Sequence, residues 1–154
     1  VLAVDTEYKQ QTAVPTPALV LGAAGVLPFF FLTLATWVGF EPFGRPPTSV
    51  QALYALAILS FMGAIHWGLA MARPVGSATW GYLLSVVPAL VGWFALAFLP
   101  MRSALWVMAA TFGLLLLYDL RAVRLGVAPA WYPALRVPLT VVVVASLAVT
   151  ASLT

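Results

Sequence analysis

Residues 58–71 read ILSFMGAIHWGLAM, an apolar run that carries the only histidine of the chain, His66. Whether this run is the core helix of a soluble domain or a membrane crossing decides the fold. It extends on both sides to about 49–72, enough for the roughly 20 residues that cross a hydrocarbon core about 30 Å thick. The rest of the chain agrees. Of its 154 residues 64% are hydrophobic and 7% charged, with a mean hydropathy of +1.06, outside the range of soluble domains of this length. The expectation is an all-α integral membrane protein.

Charges and Pro/Gly clusters divide the chain into a polar segment, 1–16, and five apolar segments at about 17–39, 49–72, 78–99, 103–121 and 137–153. Together they predict a single five-helix bundle. Pro28 should kink the first helix. Thr48 and Gln51 have the spacing of a capping box for the second, which Arg73 and Pro74 stop. Ser77 can cap the third, which contains Pro88 and ends at Pro100. Ser103 opens the fourth, and Pro138 falls in the first turn of the fifth. The valine run of that last segment suits a strand, but a lone strand in lipid leaves its backbone unpaired, so helix is preferred. Residues 1–16 lack a basic start followed by an apolar core, so no cleavable signal peptide is expected in them.

Lys and Arg counts set the expected orientation. One side carries Lys9, Arg73, Arg121, Arg124 and Arg136; the other carries only Arg45 and Arg102. The N-terminus is therefore expected on the cytoplasmic or matrix side and the C-terminus outside. Arg73, Trp80, Arg121, Arg124, Trp131 and Tyr132 would anchor the inner interface, with Trp37 and Trp106 at the outer one. The charges of YDLRAVR and the rings of AWYPALR fit that belt.

Composition also narrows the chemistry. The chain has no cysteine, which removes thiolate metal sites and covalent haem attachment, and one histidine cannot build a multi-histidine metal centre. No GxSxG, HExxH, Walker loop or paired carboxylates occur, so no catalytic residues and no enzymatic activity are expected. The net charge of +3 rests on few charged residues and makes no nucleic-acid surface. There is no internal repeat, and five helices argue against an inverted-repeat transporter within one chain.

At 100° per residue Leu59, Met62, Gly63, His66, Ala70 and Arg73 share one face of the second helix. Ser60, Ala64, Gly68 and Ala72 recur on another, roughly opposite, at the small-xxx-small spacing that lets helix backbones approach in membranes. Both faces are thus expected to meet protein. His66 lies seven residues before Arg73, roughly 10 Å inside the end of its helix at about 1.5 Å per residue. A neutral imidazole there must both donate and accept a hydrogen bond. Ser85, Asp119, Arg136 and Thr140 fall at the same depth. The expected pair is His66 with Asp119, with Arg136 as second partner of the carboxylate. A structural polar knot is the first reading. Axial ligation of a chlorin or haem by His66 and proton transfer through His66 and Asp119 are the sharper ones. No ionisable residue continues a proton path into the outer half.

The stretches LVLGAAGVLPF, YALAILSFMGAIHWGLAM, WGYLLSVVPALVGW, LLYDLR and AWYPALRVPLT resemble domain-of-unknown-function family 3429, which includes the mitochondrial transmembrane-protein-69-like proteins. The resemblance runs from about residue 17 to 140, with the motifs in the family's order. It implies a small helix bundle of the bacterial inner membrane or its mitochondrial counterpart. It singles out Pro28, His66, Trp67, Asp119, Arg121, Tyr132 and Arg136 as motif positions, and it implies no reaction. A translocator-type porphyrin-binding protein also has five helices. This chain lacks the Trp-x-Pro-Pro pattern and tryptophan-rich loop of that family; its RPPT loop has no tryptophan.

The leading functional expectation is a non-catalytic accessory or assembly subunit of a larger respiratory or photosynthetic membrane complex, in contact with lipids and other membrane subunits. It follows from the small extramembrane mass and the lack of catalytic groups. The alternatives are a binder or carrier of a hydrophobic cofactor, pigment, quinone or lipid near His66, and a small proton-coupled transporter. The expected location is the bacterial cytoplasmic membrane, with the mitochondrial inner membrane as the other candidate.

Overall fold

The computed structural model describes residues 13–72 and 79–154. Lys9, Arg73, the stop at Pro74 and the cap at Ser77 lie outside the described residues. Among the described residues five helices follow in order: α1 (Thr16–Val38), α2 (Pro47–Met71), α3 (Thr79–Phe98), α4 (Met101–Arg124) and α5 (Tyr132–Leu153). All five are long and apolar enough to cross a membrane, and no strand occurs among the described residues.

Prolines set several boundaries that the sequence reading placed elsewhere. Helix α2 begins at Pro47, with Pro46 before it and no side-chain cap. Proline fits the first helical position because its missing N–H has no intrahelical partner there. Thr48 therefore lies inside the helix, the capping box with Gln51 does not form, and Gln51 is fully buried. Helix α4 starts at Met101 after Pro100, ahead of Ser103, and runs through the charged YDLRAVR to Arg124. Gly126 closes it at φ +67°, the left-handed conformation that glycine adopts without a Cβ clash. Helix α5 starts at Tyr132, before the expected 137, because Pro133 takes the first turn; Pro138 then lies inside the helix.

The helices form a ring in chain order. Each packs on the next, α5 closes on α1, and α2 touches α4 across the middle. Phe29, Leu59, Leu105, Met108, Phe112 and Leu147 fill the centre, with Ala52, Ala55, Ala109 and Ala151 between them. Lipid tails are as apolar as these side chains, so close packing and polar contacts, rather than expulsion of water, must hold helices together.

The close approaches use glycines of the inner faces. A Cβ on Gly63 would overlap the Ser85 carbonyl oxygen of α3, and one on Gly81 would come within 2.9 Å of the Ala70 Cβ of α2. On the α1–α5 side, a Cβ on Gly22 would meet Leu139 Cδ1 at 2.8 Å. The row Ser60, Ala64, Gly68 and Ala72 does not serve this purpose within the chain. All four are exposed, and a Cβ on Gly68 meets nothing within 4 Å. Helix α3 lies against the side of α2 that carries Gly63 and His66, which leaves the small-residue row facing outward.

Gly63→Ala should therefore force α2 from α3 and destabilise the protein by about 1–3 kcal/mol. Gly68→Ala should stay within about 0.5 kcal/mol. Thermal unfolding of the two variants in detergent checks the contrast, and equal stability would remove the assignment of Gly63 as the point of close approach.

Candidate functional site

Each sequence element around His66 brings one polar group to the same depth. Helix α2 carries His66 on its inner face, α4 brings Asp119 before its last turn, and α5 brings Arg136 one turn after its start. The Arg136 Nε donates to Asp119 Oδ2 at 2.7 Å, and His66 Nε2 lies 2.8 Å from Asp119 Oδ1. The N–H direction of Nε2 is poorly aligned with Oδ1, so this second contact is a close polar pair and not a well-formed hydrogen bond. The three residues are buried, and the carboxylate is the shared centre. Tyr118 packs its ring edgewise on the imidazole at 4.6 Å between centroids.

The other expected members are placed differently. Ser85 is buried, but its hydroxyl donates to the Tyr82 carbonyl in its own helix, and its backbone oxygen is what Gly63 accommodates. Ser85 belongs to the α2–α3 contact and makes no hydrogen bond to the trio. Thr140 is buried one turn beyond Arg136, with its hydroxyl unpartnered. Trp80, Arg121 and Arg124 are exposed, as interface positions require. Tyr132 is not an exposed anchor; it is buried beside a half-buried Trp131, because α5 already begins there. Arg73 lies outside the described residues.

Beside Arg136 the structure leaves a crevice of about 420 Å³ between α1, α2 and α5. Its walls are mostly apolar, and four of its lining residues, along the first turns of α5, bear buried polar atoms without a hydrogen-bond partner: Trp131 Nε1, Tyr132 OH, Arg136 Nη2 and Thr140 Oγ1. Two are donors only, and two are hydroxyls that donate or accept. A separate cavity of about 350 Å³ lies between α2, α3 and α4, with His66, Tyr118, Trp80 and Arg121 among its lining residues. Among the described residues no three His, Cys, Asp or Glu side chains gather as metal ligands.

A second polar layer escaped the sequence reading. Gln51 of α2 donates to the Phe29 carbonyl at 3.3 Å and to Thr33 Oγ1 at 3.0 Å. Thr33 in turn lies 3.1 Å from Thr150 Oγ1 and donates to the Ser146 carbonyl of α5 at 3.3 Å. Nearby, Tyr54 donates to the Gly25 carbonyl at 2.9 Å, just ahead of Pro28. The available signal was Gln51 itself, a glutamine one turn inside an apolar helix, which the capping-box spacing had absorbed. These links tie α1 to α2 at the end opposite His66. The crevice opens where they stop.

Removing one partner of the ion pair leaves a charge in hydrocarbon. Asp119→Leu should cost about 3 kcal/mol through the stranded Arg136. Adding Arg136→Met should recover most of that loss, since an apolar pair of similar shape strands nothing. Unfolding of the single and double variants in detergent measures this, and additive losses would show that the two side chains do not act as a pair.

Comparison with known proteins places this arrangement in a family. The chain is 38% identical over 136 residues to transmembrane protein 69 of Xenopus tropicalis. That match covers 86% of the chain and 53% of the relative, so the chain spans about half the length of that protein. No solved structure matches. The model of a protein family of unknown function, DUF3429, matches residues 14–152, which takes in all five helices and both polar layers. This chain is a membrane protein and belongs to the DUF3429 family.

Proposed function

We propose that the chain holds a hydrophobic amphiphile in the crevice between α1, α2 and α5, as a binder or carrier that does no chemistry on it. One observation carries this reading: four residues with buried, unpartnered polar atoms line an otherwise apolar crevice along the first turns of α5. Leaving such groups without a partner costs about 1–3 kcal/mol each, so a ligand that satisfies them gains that energy. The volume lies within the usual range of small-molecule sites. The arrangement orients an amphiphile, with its head near the start of α5 and its chain toward Phe29, Phe112 and Val143. A macrocycle ligated by His66 is less well supported, because Nε2 faces Asp119 and His66 does not line the crevice.

A second reading, the accessory subunit, rests on the outward row Ser60, Ala64, Gly68 and Ala72. It is a smooth helix face of the kind another membrane helix packs against. Gentle extraction from native membranes would leave a stoichiometric protein partner attached; isolation as a lone chain would count against this role.

For both readings the chain sits in a bacterial or mitochondrial inner membrane with its N-terminus on the cytoplasmic or matrix side. Arg136 is buried in its pair with Asp119 and does not act as a loop charge, which makes the Lys and Arg count four against two. The chain has no cysteine, so introduced thiols report cleanly. Glu41→Cys should react with an impermeant maleimide added outside, and Leu125→Cys should not; the reverse pattern would invert the topology.

The ligand reading is tested with Gly25→Leu, which adds bulk to the crevice wall where a Cβ meets only Tyr54 OH, at 3.9 Å. Mass spectrometry of purified protein should find an amphiphile retained by the wild type and depleted about tenfold or more in the variant, with helical content by circular dichroism retained. Equal retention would contradict the proposal.

A further inference from the structure

Resting on the crevice reading above, we infer that the ligand's headgroup is uncharged and offers carbonyl oxygens to Arg136, Thr140, Tyr132 and Trp131. The first argument is the donor inventory. Trp131 Nε1 and Arg136 Nη2 are donors only, and neither has a partner in the protein. An ammonium would satisfy neither, and a hydroxyl would accept from them but add a donor of its own to the apolar crevice. A carbonyl oxygen accepts two hydrogen bonds, and two carbonyls would satisfy this end of the crevice.

The second argument is charge. Arg136 already spends its Nε on Asp119 at 2.7 Å, so the guanidinium is balanced within the protein. The Asp119–Arg136 pair therefore carries no net charge. A phosphate head would then bring an uncompensated negative charge into a low-dielectric site, whereas a carbonyl costs nothing of that kind. The start of α5 does not supply the missing positive end. The Tyr132 N–H bonds the Pro129 carbonyl at 3.1 Å, the Ala134 N–H bonds the Trp131 carbonyl at 3.1 Å, and Pro133 between them has no N–H.

The third argument is depth. Trp131 and Tyr132 stand at the membrane end of α5, while Arg136 and Thr140 lie one and two turns further in. A head that reaches from the first pair to the second leaves the polar headgroup region, which an uncharged group does at far lower cost than a phosphate. Its chain continues toward Phe29, Phe112 and Val143. A benzoquinone ring and the ester region of a diacylglycerol share this chemistry.

Detergent-purified wild type, Gly25→Leu, Thr140→Val and Trp131→Phe are compared by thermal unfolding against three probes. These are a short-chain alkyl benzoquinone, a short-chain diacylglycerol and a short-chain phosphatidylglycerol. Thr140→Val and Trp131→Phe each delete one hydrogen-bonding group and leave the Asp119–Arg136 pair intact. A saturable rise in unfolding temperature with the benzoquinone or the diacylglycerol, abolished by Gly25→Leu and weakened about two- to tenfold by Thr140→Val and Trp131→Phe, is the expected result. Which of the two acts identifies the source of the carbonyls. A rise confined to the phosphatidylglycerol and abolished by Gly25→Leu would overturn the uncharged head and leave the crevice reading standing. An equal response of the wild type and Thr140→Val to the neutral probes would overturn the assigned contact. Response to no probe, or responses indifferent to Gly25→Leu, would overturn both.

Discussion

A carboxylate inside a hydrocarbon layer must be paired, and much of this bundle is arranged around that requirement. Asp119 has Arg136 Nε at 2.7 Å on one oxygen and His66 Nε2 at 2.8 Å on the other. One acidic residue thereby ties α2, α4 and α5 at a single depth. Apolar contacts alone specify helix positions weakly in lipid, because the tails offer equivalent contacts; a buried charge offers no equivalent alternative. The glycine approaches at Gly63, Gly81 and Gly22 then set how near the remaining helices come.

The two polar layers together explain where the bundle is loose. At one end Gln51, Thr33 and Thr150 link α1, α2 and α5. At the other end the trio links α2, α4 and α5 and makes no hydrogen bond to α1 among the described residues. There α1 rests on α5 through Gly22 against Leu139, and α1 and α2 part around the crevice. The residues that hold the fold are therefore next to those proposed to receive a ligand. Arg136 serves both: its Nε belongs to the ion pair, and its Nη2 remains unpartnered in the crevice wall.

The helices and the pairing of His66 with Asp119 and Arg136 were legible in the sequence for simple reasons. Hydropathy over a membrane span is a strong signal, and rare ionisable residues at equal depth have few partners to choose from. The position of Tyr132, the α2 cap and the outward row of Ser60, Ala64, Gly68 and Ala72 were not legible. Prolines 47 and 133 shift helix starts by about two and five residues, which turns Gln51 and Tyr132 from boundary residues into buried ones. A small-residue spacing marks a smooth helix face without saying whether the partner lies inside the chain. The crevice had no sequence signature at all, since α5 closes on α1 and α2 from the far end of the chain.

The central claim is that Arg136 and its neighbours complete their hydrogen bonding with the head of an amphiphile. A crystal structure grown from a lipidic phase tests it most directly. A chain-like molecule is expected in the crevice, with a head oxygen within hydrogen-bonding distance of Arg136 Nη2 and Thr140 Oγ1 and its tail toward Phe29 and Val143. A bundle with α1 closed onto α2 over the crevice, and those donors bonded to protein or water, would contradict the claim.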